Sequence, residues 1–340
     1  MAKRNRGVEN EKIAILMNMY CYANSIEING LGEYNNMPVY LPDGDEDDPN
    51  KKRILDSSGM STYVKDKYNV SNIEDFKCLI NDRSMMFTLC DIFNVSSANS
   101  NYKSDFYRGD LGLSVKNYSE DNTYWDLKRT DISILNRGYF NAYLTCANRI
   151  ANDDRVKELY DEYGVLNEQY EEKIKSLYLE FILAIKEDKF PLNCRNYKIT
   201  TKEKGFWYDD EKWKYIKPMI AYFCTMGTYF GDSFNTANCM LEIINPFDIN
   251  TYSFYYDILN YIEYHRDKCN FEIRGVNEVT YKSIFSRIDD DVLLQLGMIR
   301  KYIKEDGEYK LKLFGLGRVG FYLPSQTEEK KSSKRKSSKK

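Results

Sequence analysis

The 340-residue chain has a single histidine, His265, and that scarcity removes most common nucleophilic and metal chemistries. A Ser-His-Asp or Cys-His relay would have to use it, within Tyr261-Ile262-Glu263-Tyr264-His265-Arg266. No Gly-x-Ser-x-Gly elbow accompanies it. His265 is therefore read as an ordinary, partly buried residue. The eight cysteines are scattered at 21, 78, 90, 146, 194, 224, 239 and 269, without a C-x-x-C pair. A Cys/His zinc site is excluded on that spacing, and the thiols are expected to be reduced core residues. No run reaches the roughly 18 apolar residues of a membrane span. The start lacks the apolar core and small-residue cleavage site of a secretory signal, so a cytoplasmic protein of prokaryotic or viral origin is expected, not a secreted one.

What is abundant is aromatic and charged surface. Apolar residues make up 42% and aromatics 15%, with 30 tyrosines, which suits a folded chain with a sizeable core. Net charge is −3, unevenly placed: residues 328–340 hold seven Lys/Arg against two Glu, leaving the body at −8. A local basic cleft matters more for a nucleic-acid ligand than that total. The Ser/Lys tail over 324–340 is expected to be disordered and able to attract phosphates without specificity.

The most informative stretch is Lys103-Ser104-Asp105-Phe106-Tyr107-Arg108-Gly109-Asp110-Leu111-Gly112-Leu113-Ser114-Val115-Lys116-Asn117. Alternation on both sides of Gly109-Asp110 predicts two strands closed by a two-residue type II′ turn. That loop pairs Arg108 with Leu111, Asp105 with Ser114, and Lys103 with Lys116. Paired residues share a face, so Asp105, Ser114 and Lys116 are expected on one side. A carboxylate, the Val115 carbonyl and waters would suit a hard, oxygen-liganded Mg²⁺, with the Lys116 ammonium orienting an attacking water.

Upstream, a helix is predicted over about 8–22, with Ile13, Leu16, Met17 and Tyr20 as its apolar face. At 100° per residue Glu9 falls within that arc and Glu11 on the far side. Ser71-Asn72-Ile73-Glu74 has capping-box spacing before a short helix, and Met85–Val95 is an apolar run that fits either a strand or a helix. Helices are predicted over about 138–163 and 166–187. The segment 198–217 interleaves Lys202, Lys204, Lys212, Lys214 and Lys217 with aromatics, which can hold phosphates and stack on bases or form a β-rich surface. Near the end, helices over 279–287 and 289–302, then a strand at 307–314, follow the order of a winged-helix unit. Gly315-Leu316-Gly317-Arg318-Val319-Gly320 matches G-x-G-x-x-G in form but lacks the following helix that would hold pyrophosphate.

Around the hairpin the sequence resembles the PD-(D/E)xK restriction-endonuclease superfamily. Lys-Ser-Asp at 103–105 and Leu-Gly-Leu-Ser-Val-Lys-Asn at 111–117 look like type II enzymes that use S-x-K. The resemblance departs from the commonest pattern at Ser104, where proline is usual, and at Ser114, where an acid is usual. It implies an α/β (α+β) core with a mixed central sheet flanked by helices. It also implies Asp105 as metal ligand, Lys116 as catalytic lysine, and a first-helix glutamate matched by Glu9, with Glu11 in reserve. Asp110 or Glu120 are further candidates to complete the ligand set. The expected organisation is a nuclease core over 1–145, a largely helical, winged-helix-like recognition region over 146–323, and the basic tail. Expected partners are Mg²⁺, double-stranded DNA contacted by Lys128, Arg129, Lys212, Lys214, Arg300 and Lys301, a second copy of the chain, and a companion DNA methyltransferase. The alternatives are a non-enzymatic winged-helix-like DNA-binding protein and a viral structural or interaction protein.

Overall fold

The computed structural model describes residues 6–44, 48, 51–98, 102–117, 147–186, 209–226 and 235–266, and strands at 124–126, 130–131, 199–200, 270–274, 277–278, 298–315 and 318–324. Helix α1 spans Arg6–Ala23. Every residue from Ile13 to Cys21 is buried, so this part of α1 is buried all round rather than amphipathic with one wet face. Strands β1 (Val39–Pro42) and β2 (Lys52–Ile54) follow, then α2 (Ser57–Tyr68), α3 (Ile73–Asn81) and α4 (Arg83–Ile92). The ambiguous apolar run is thus α4, whose start is fixed by Asp82: its Oδ1 accepts from the Ser84 and Met85 N–H groups. The cap of α3 is Asn72, one residue after the expected serine, with Oδ1 accepting from Glu74 and Asp75.

The hairpin is β3 (Phe106–Arg108) and β4 (Leu111–Asn117). Its register is Arg108↔Leu111, Tyr107↔Gly112 and Phe106↔Leu113. Gly109 has φ 62° and Asp110 does not have a positive φ, the signature of a type II′ turn. Beyond it lie β5 (Tyr124–Asp126), β6 (Thr130–Asp131), helical residues 147–152, α5 (Asp154–Tyr160), α6 (Tyr170–Lys186), β7 (Ile199–Thr200) and α7 (Asp210–Thr225). The expected helix over 138–163 is therefore partly realised as 147–152 and α5, and the aromatic-basic segment ends in α7. Strands β8 (Cys239–Ile243) and β9 (Tyr252–Tyr255) and helix α8 (Ile258–Tyr264) complete the middle of the chain.

A six-stranded mixed sheet has the order β2-β1-β3-β4-β8-β9, antiparallel except for the parallel pair β4–β8. The hairpin is at its centre. Two of its strands come from beyond residue 145, so the boundary expected there does not bound the sheet. Phe106, Leu111, Leu113, Val115, Leu241 and Ile243 pack one face against α1 to α4 in a single apolar cluster. The opposite face carries Ser114, Lys116, Met240 and Glu242 by register, and α8 meets it through the Tyr255–Tyr261 ring contact at 5.4 Å. Buried Arg108 ties the turn end to α1, donating to Asn18 O and Oδ1, Met37 O and Asn35 O.

The remaining strands β10 (Asn270–Arg274), β11 (Asn277–Glu278), β12 (Met298–Glu305), β13 (Glu308–Gly315) and β14 (Arg318–Pro324) overturn the winged-helix reading. Met298–Glu305 is a strand, not part of a recognition helix. Asp306 and Gly307 both have positive φ, 52° and 88°, the requirement of a type I′ turn joining β12 directly to β13. The apolar spacing at 292–303 suits a helix as well as a strand, but the Asp-Gly turn commits its second half to a hairpin. The helix expected over 279–287 and the tail lie outside the described residues.

Gly112 marks the closest backbone approach in the central sheet. A Cβ there would lie 2.4 Å from the Thr236 carbonyl oxygen and 2.5 Å from Ser104 Oγ. Gly112→Ala is expected to lower stability by about 1–3 kcal/mol through overpacking against backbone, measured as a lower urea midpoint at unchanged m-value.

Candidate functional site

The ladder between β3 and β4 stops at Phe106. One further backbone bond crosses to β4, from Asp105 N–H to Leu113 O at 2.8 Å, and Ser104 donates its hydroxyl to the Thr236 carbonyl. The expected backbone pairing of Asp105 with Ser114 and Lys103 with Lys116 therefore does not form. Asp105 turns its carboxylate into the plane of the sheet, where Oδ2 accepts the Val115 N–H at 2.5 Å. In a strand the N–H and C=O of one residue point to the same edge. The Val115 carbonyl thus lies on the edge the Asp105 carboxylate occupies.

Lys116 and Ser114 share the sheet face expected of them, and Lys116 Nζ donates to Ser114 Oγ at 3.1 Å. The contact fixes the ammonium near the end of β4. Lys103, also buried, adds positive potential at Asp105. Burial raises the Asp105 carboxyl above its ordinary range, against the pull of Lys116, the Val115 N–H and Lys103.

The first-helix glutamate that joins this site is Glu11, not Glu9. Glu9 is turned to α4, where Arg83 Nη2 and Nε hold its Oε1 at 2.8 and 3.0 Å. Glu11 reaches the Asp105 end of the sheet, and its Oε1 accepts the Ala98 N–H at 3.0 Å. Its carboxyl is pushed up from 4.5 to about 8, first by burial and then by the Asp105 charge, with the Ala98 N–H, Lys116 and Lys12 pulling the other way. Glu11 on α1 is thus within electrostatic reach of the Asp105 carboxylate at the sheet edge, and Lys116 acts on both. Asp110 is exposed at the turn and does not join them.

One further acid lies close by and had no signal in the sequence. Glu242 is the parallel-register partner of Lys116, is buried, and accepts a hydrogen bond from Tyr255 Oη at 3.2 Å. Only the β4–β8 pairing, across more than a hundred residues of chain, brings it there. Among the described residues no group of three or more His, Cys, Asp or Glu is arranged to hold a metal ion. A pair of carboxylates with a carbonyl nonetheless fits the way Mg²⁺ is usually held, by one or two carboxylates, waters and substrate phosphates. The Asp105 charge that raises the Glu11 carboxyl is what such an ion would offset.

The basic residues expected to contact DNA are dispersed. Lys212 pairs with Glu180 at 2.5 Å and Lys214 with Glu211 at 2.5 Å, both on α7. Arg300 and Lys301 are on β12. Lys128, Arg129, Lys202, Lys204 and Glu120 lie outside the described residues. His265 is buried against the Tyr261 and Tyr264 rings at 4.5 and 4.8 Å, away from the hairpin's chemistry. Among the described residues no helix is long and apolar enough to cross a membrane. Comparison with protein-family models, with curated proteins and with solved structures finds no match for this chain.

A carboxyl whose folded value is above its unfolded one holds its proton in the native state over the intervening pH range. Stability therefore falls as pH rises from about 4.5 to about 8. The Glu11 contribution is on the order of 5 kcal/mol. In metal-free protein, Glu11→Gln should flatten that decline and be more stable than the parent above pH 8. Chemical denaturation in EDTA across pH 5 to 9 reads the difference; an unchanged slope would remove the Glu11–Asp105 repulsion from the account.

Proposed function

We propose that this protein is a Mg²⁺-dependent endonuclease that hydrolyses phosphodiester bonds of double-stranded DNA, of the type II restriction kind. The observation that carries the reading is the Asp105 carboxylate fixed by the Val115 N–H beside the Lys116–Ser114 contact, with Glu11 within electrostatic reach. The hairpin that carries Asp105 and Lys116 lies at the centre of a mixed sheet flanked by helices, as the resemblance to the PD-(D/E)xK superfamily implies.

In this reading Asp105, Glu11 and the Val115 carbonyl would hold the metal ion. Bound there, Mg²⁺ supplies positive charge to the phosphate oxygens and acidifies water. The chain's own residues do the rest by position. The Val115 N–H fixes the Asp105 carboxylate, and the Ala98 N–H fixes Glu11. Ser114 holds the Lys116 ammonium where it can orient a water for in-line attack and stabilise charge developing on the phosphate. The water oxygen bonds to phosphorus, the bond to the leaving sugar oxygen breaks, and that oxygen takes up a proton. Ser114 acts as a positioning residue, and Glu11 supplies the second carboxylate from outside the motif. A cut in both strands at a symmetric site would use two copies of the chain.

Incubation with mixed plasmid and genomic DNA, with and without Mg²⁺, should give discrete fragments only with the metal. Asp105→Ala, Lys116→Ala and Glu11→Gln should each lower cleavage by a factor of roughly 10² or more while DNA binding persists. Glu9→Gln should retain cleavage and lose only the ion pair to Arg83, which is a stability effect. Undiminished Mg²⁺-dependent cutting by the Asp105 and Lys116 variants would refute the proposal.

A further inference from the structure

We infer that Arg83 and Lys12, which share the Phe87 ring at the seam of α1 and α4, are phosphate contacts for a DNA strand entering the Glu11–Asp105 site. The inference rests on the nuclease reading above and names how that site would hold its substrate's backbone.

Arg83 is oriented from behind. The buried Glu9 Oε1 accepts from Arg83 Nε at 3.0 Å and from Nη2 at 2.8 Å. Its side chain is nevertheless 59% exposed, against 8% for that of Glu9. Among the described residues Arg83 Nη1 has no hydrogen-bond partner. One edge of the guanidinium is thus fixed and the other offers open N–H groups. A planar fork held in place before binding loses little freedom when it takes a phosphate oxygen. Glu9 serves here as an acceptor, a role glutamine shares, so Glu9→Gln keeps the contact.

Lys12 supplies the second cation. Its ammonium lies 5.2 Å from the centroid of the Phe87 ring, and the Arg83 guanidinium carbon lies 4.9 Å from the same centroid. The two charges are therefore no more than about 10 Å apart, a distance that spans neighbouring phosphates of a strand spaced about 3.4 Å along the helix axis. Phe87 packs against the apolar cluster of α1 to α4, so the platform under both cations is anchored. Among the described residues the Lys12 ammonium meets that ring and forms no ion pair. Lys212 and Lys214, by contrast, are already paired with acids at 2.5 Å. Lys12 is also close enough to act on Cys90 and on Glu11, its neighbour in the chain. Arg83, Lys12 and Glu11 thus follow one another along the seam toward Asp105. A phosphate between the two cations would be balanced by Lys12, whose charge no carboxylate cancels, and gripped by Arg83.

The test uses the full chain, a 30-base-pair duplex and fluorescence anisotropy in EDTA, with KCl varied from 50 to 200 mM. Lys12→Ala should make the slope of log K against log salt shallower by about 0.9, equally for unrelated sequences, and weaken binding roughly tenfold at the lowest salt. Lys12→Arg should restore both. Arg83→Ala should add a similar loss. Because it also strips Glu9 of its ion pair, its fold is checked by a circular-dichroism melt, while Lys12→Ala breaks no ion pair and carries the test by itself. Lys65→Ala, at an exposed position on α2, should leave slope and affinity unchanged. Parental binding by Lys12→Ala, an equal loss in Lys65→Ala, or no duplex binding by the parent would overturn the assignment. Binding is read without metal. A parent that binds through Lys12 and Arg83 but never cuts with Mg²⁺ would sink the nuclease reading and leave the contact standing, and cutting with parental binding by Lys12→Ala would do the reverse.

Discussion

The chemistry at the centre of this protein depends on one hydrogen bond, from the Val115 N–H to the Asp105 carboxylate. A central strand needs a partner for every backbone group. Here β3 ends at Phe106, and the side chain of Asp105 takes the position that the next residue's backbone would fill. The carboxylate is thereby fixed in the plane of the sheet, between the two faces. Lys116 and Ser114 approach it from one face, and Glu11 on α1 from the other side. A continued ladder would have put Asp105 on a single face and out of reach of α1.

This arrangement costs stability, and the surrounding fold offsets the cost. Both carboxyls are raised by burial, and the Asp105 charge raises Glu11 further. They are held by elements that do not yield: β4 is buried from Leu111 to Val115, and α1 is buried all round from Ile13 to Cys21. Arg108 shows the same economy at the other end of the hairpin. Its guanidinium is buried and satisfied by carbonyl oxygens of three residues and the Asn18 amide oxygen. The group binds turn, helix and following loop into one unit, so the site end of the sheet is set by contacts on both ends of α1.

Local rules carried much of the hairpin. The Gly109-Asp110 turn set the register, and period two placed Lys116 with Ser114, because both depend only on backbone geometry over a few residues. They did not carry the fate of Asp105. Its departure from the ladder depends on Ser104 meeting the Thr236 carbonyl, 132 residues away. The helical wheel turned Glu9 inward, and Glu9 is buried, but the wheel did not tell which glutamate meets Asp105. Both glutamates lie in the first turns of α1, before its fully buried stretch, and which of them meets which partner is set by its neighbours in space. Arg83 on α4 claims Glu9, and Asp105 and the Ala98 N–H define the surroundings of Glu11. At the far end, helical spacing in 292–303 competed with an Asp306-Gly307 turn, and the turn, which closes a ribbon of eight pairs, prevailed.

The sequence by itself therefore determined the type of chemistry on offer: one histidine, no clustered cysteines, and an aspartate, a serine and a lysine on a two-residue hairpin. Those are matters of composition and short-range geometry. Only the tertiary structure decided which carboxylates meet. Glu11, Asp105 and Glu242 come from three distant segments, and α1 and β8 bring Glu11 and Glu242 to β4 from different sides. A buried charge is fixed by what surrounds it in space, and no window of sequence contains those surroundings.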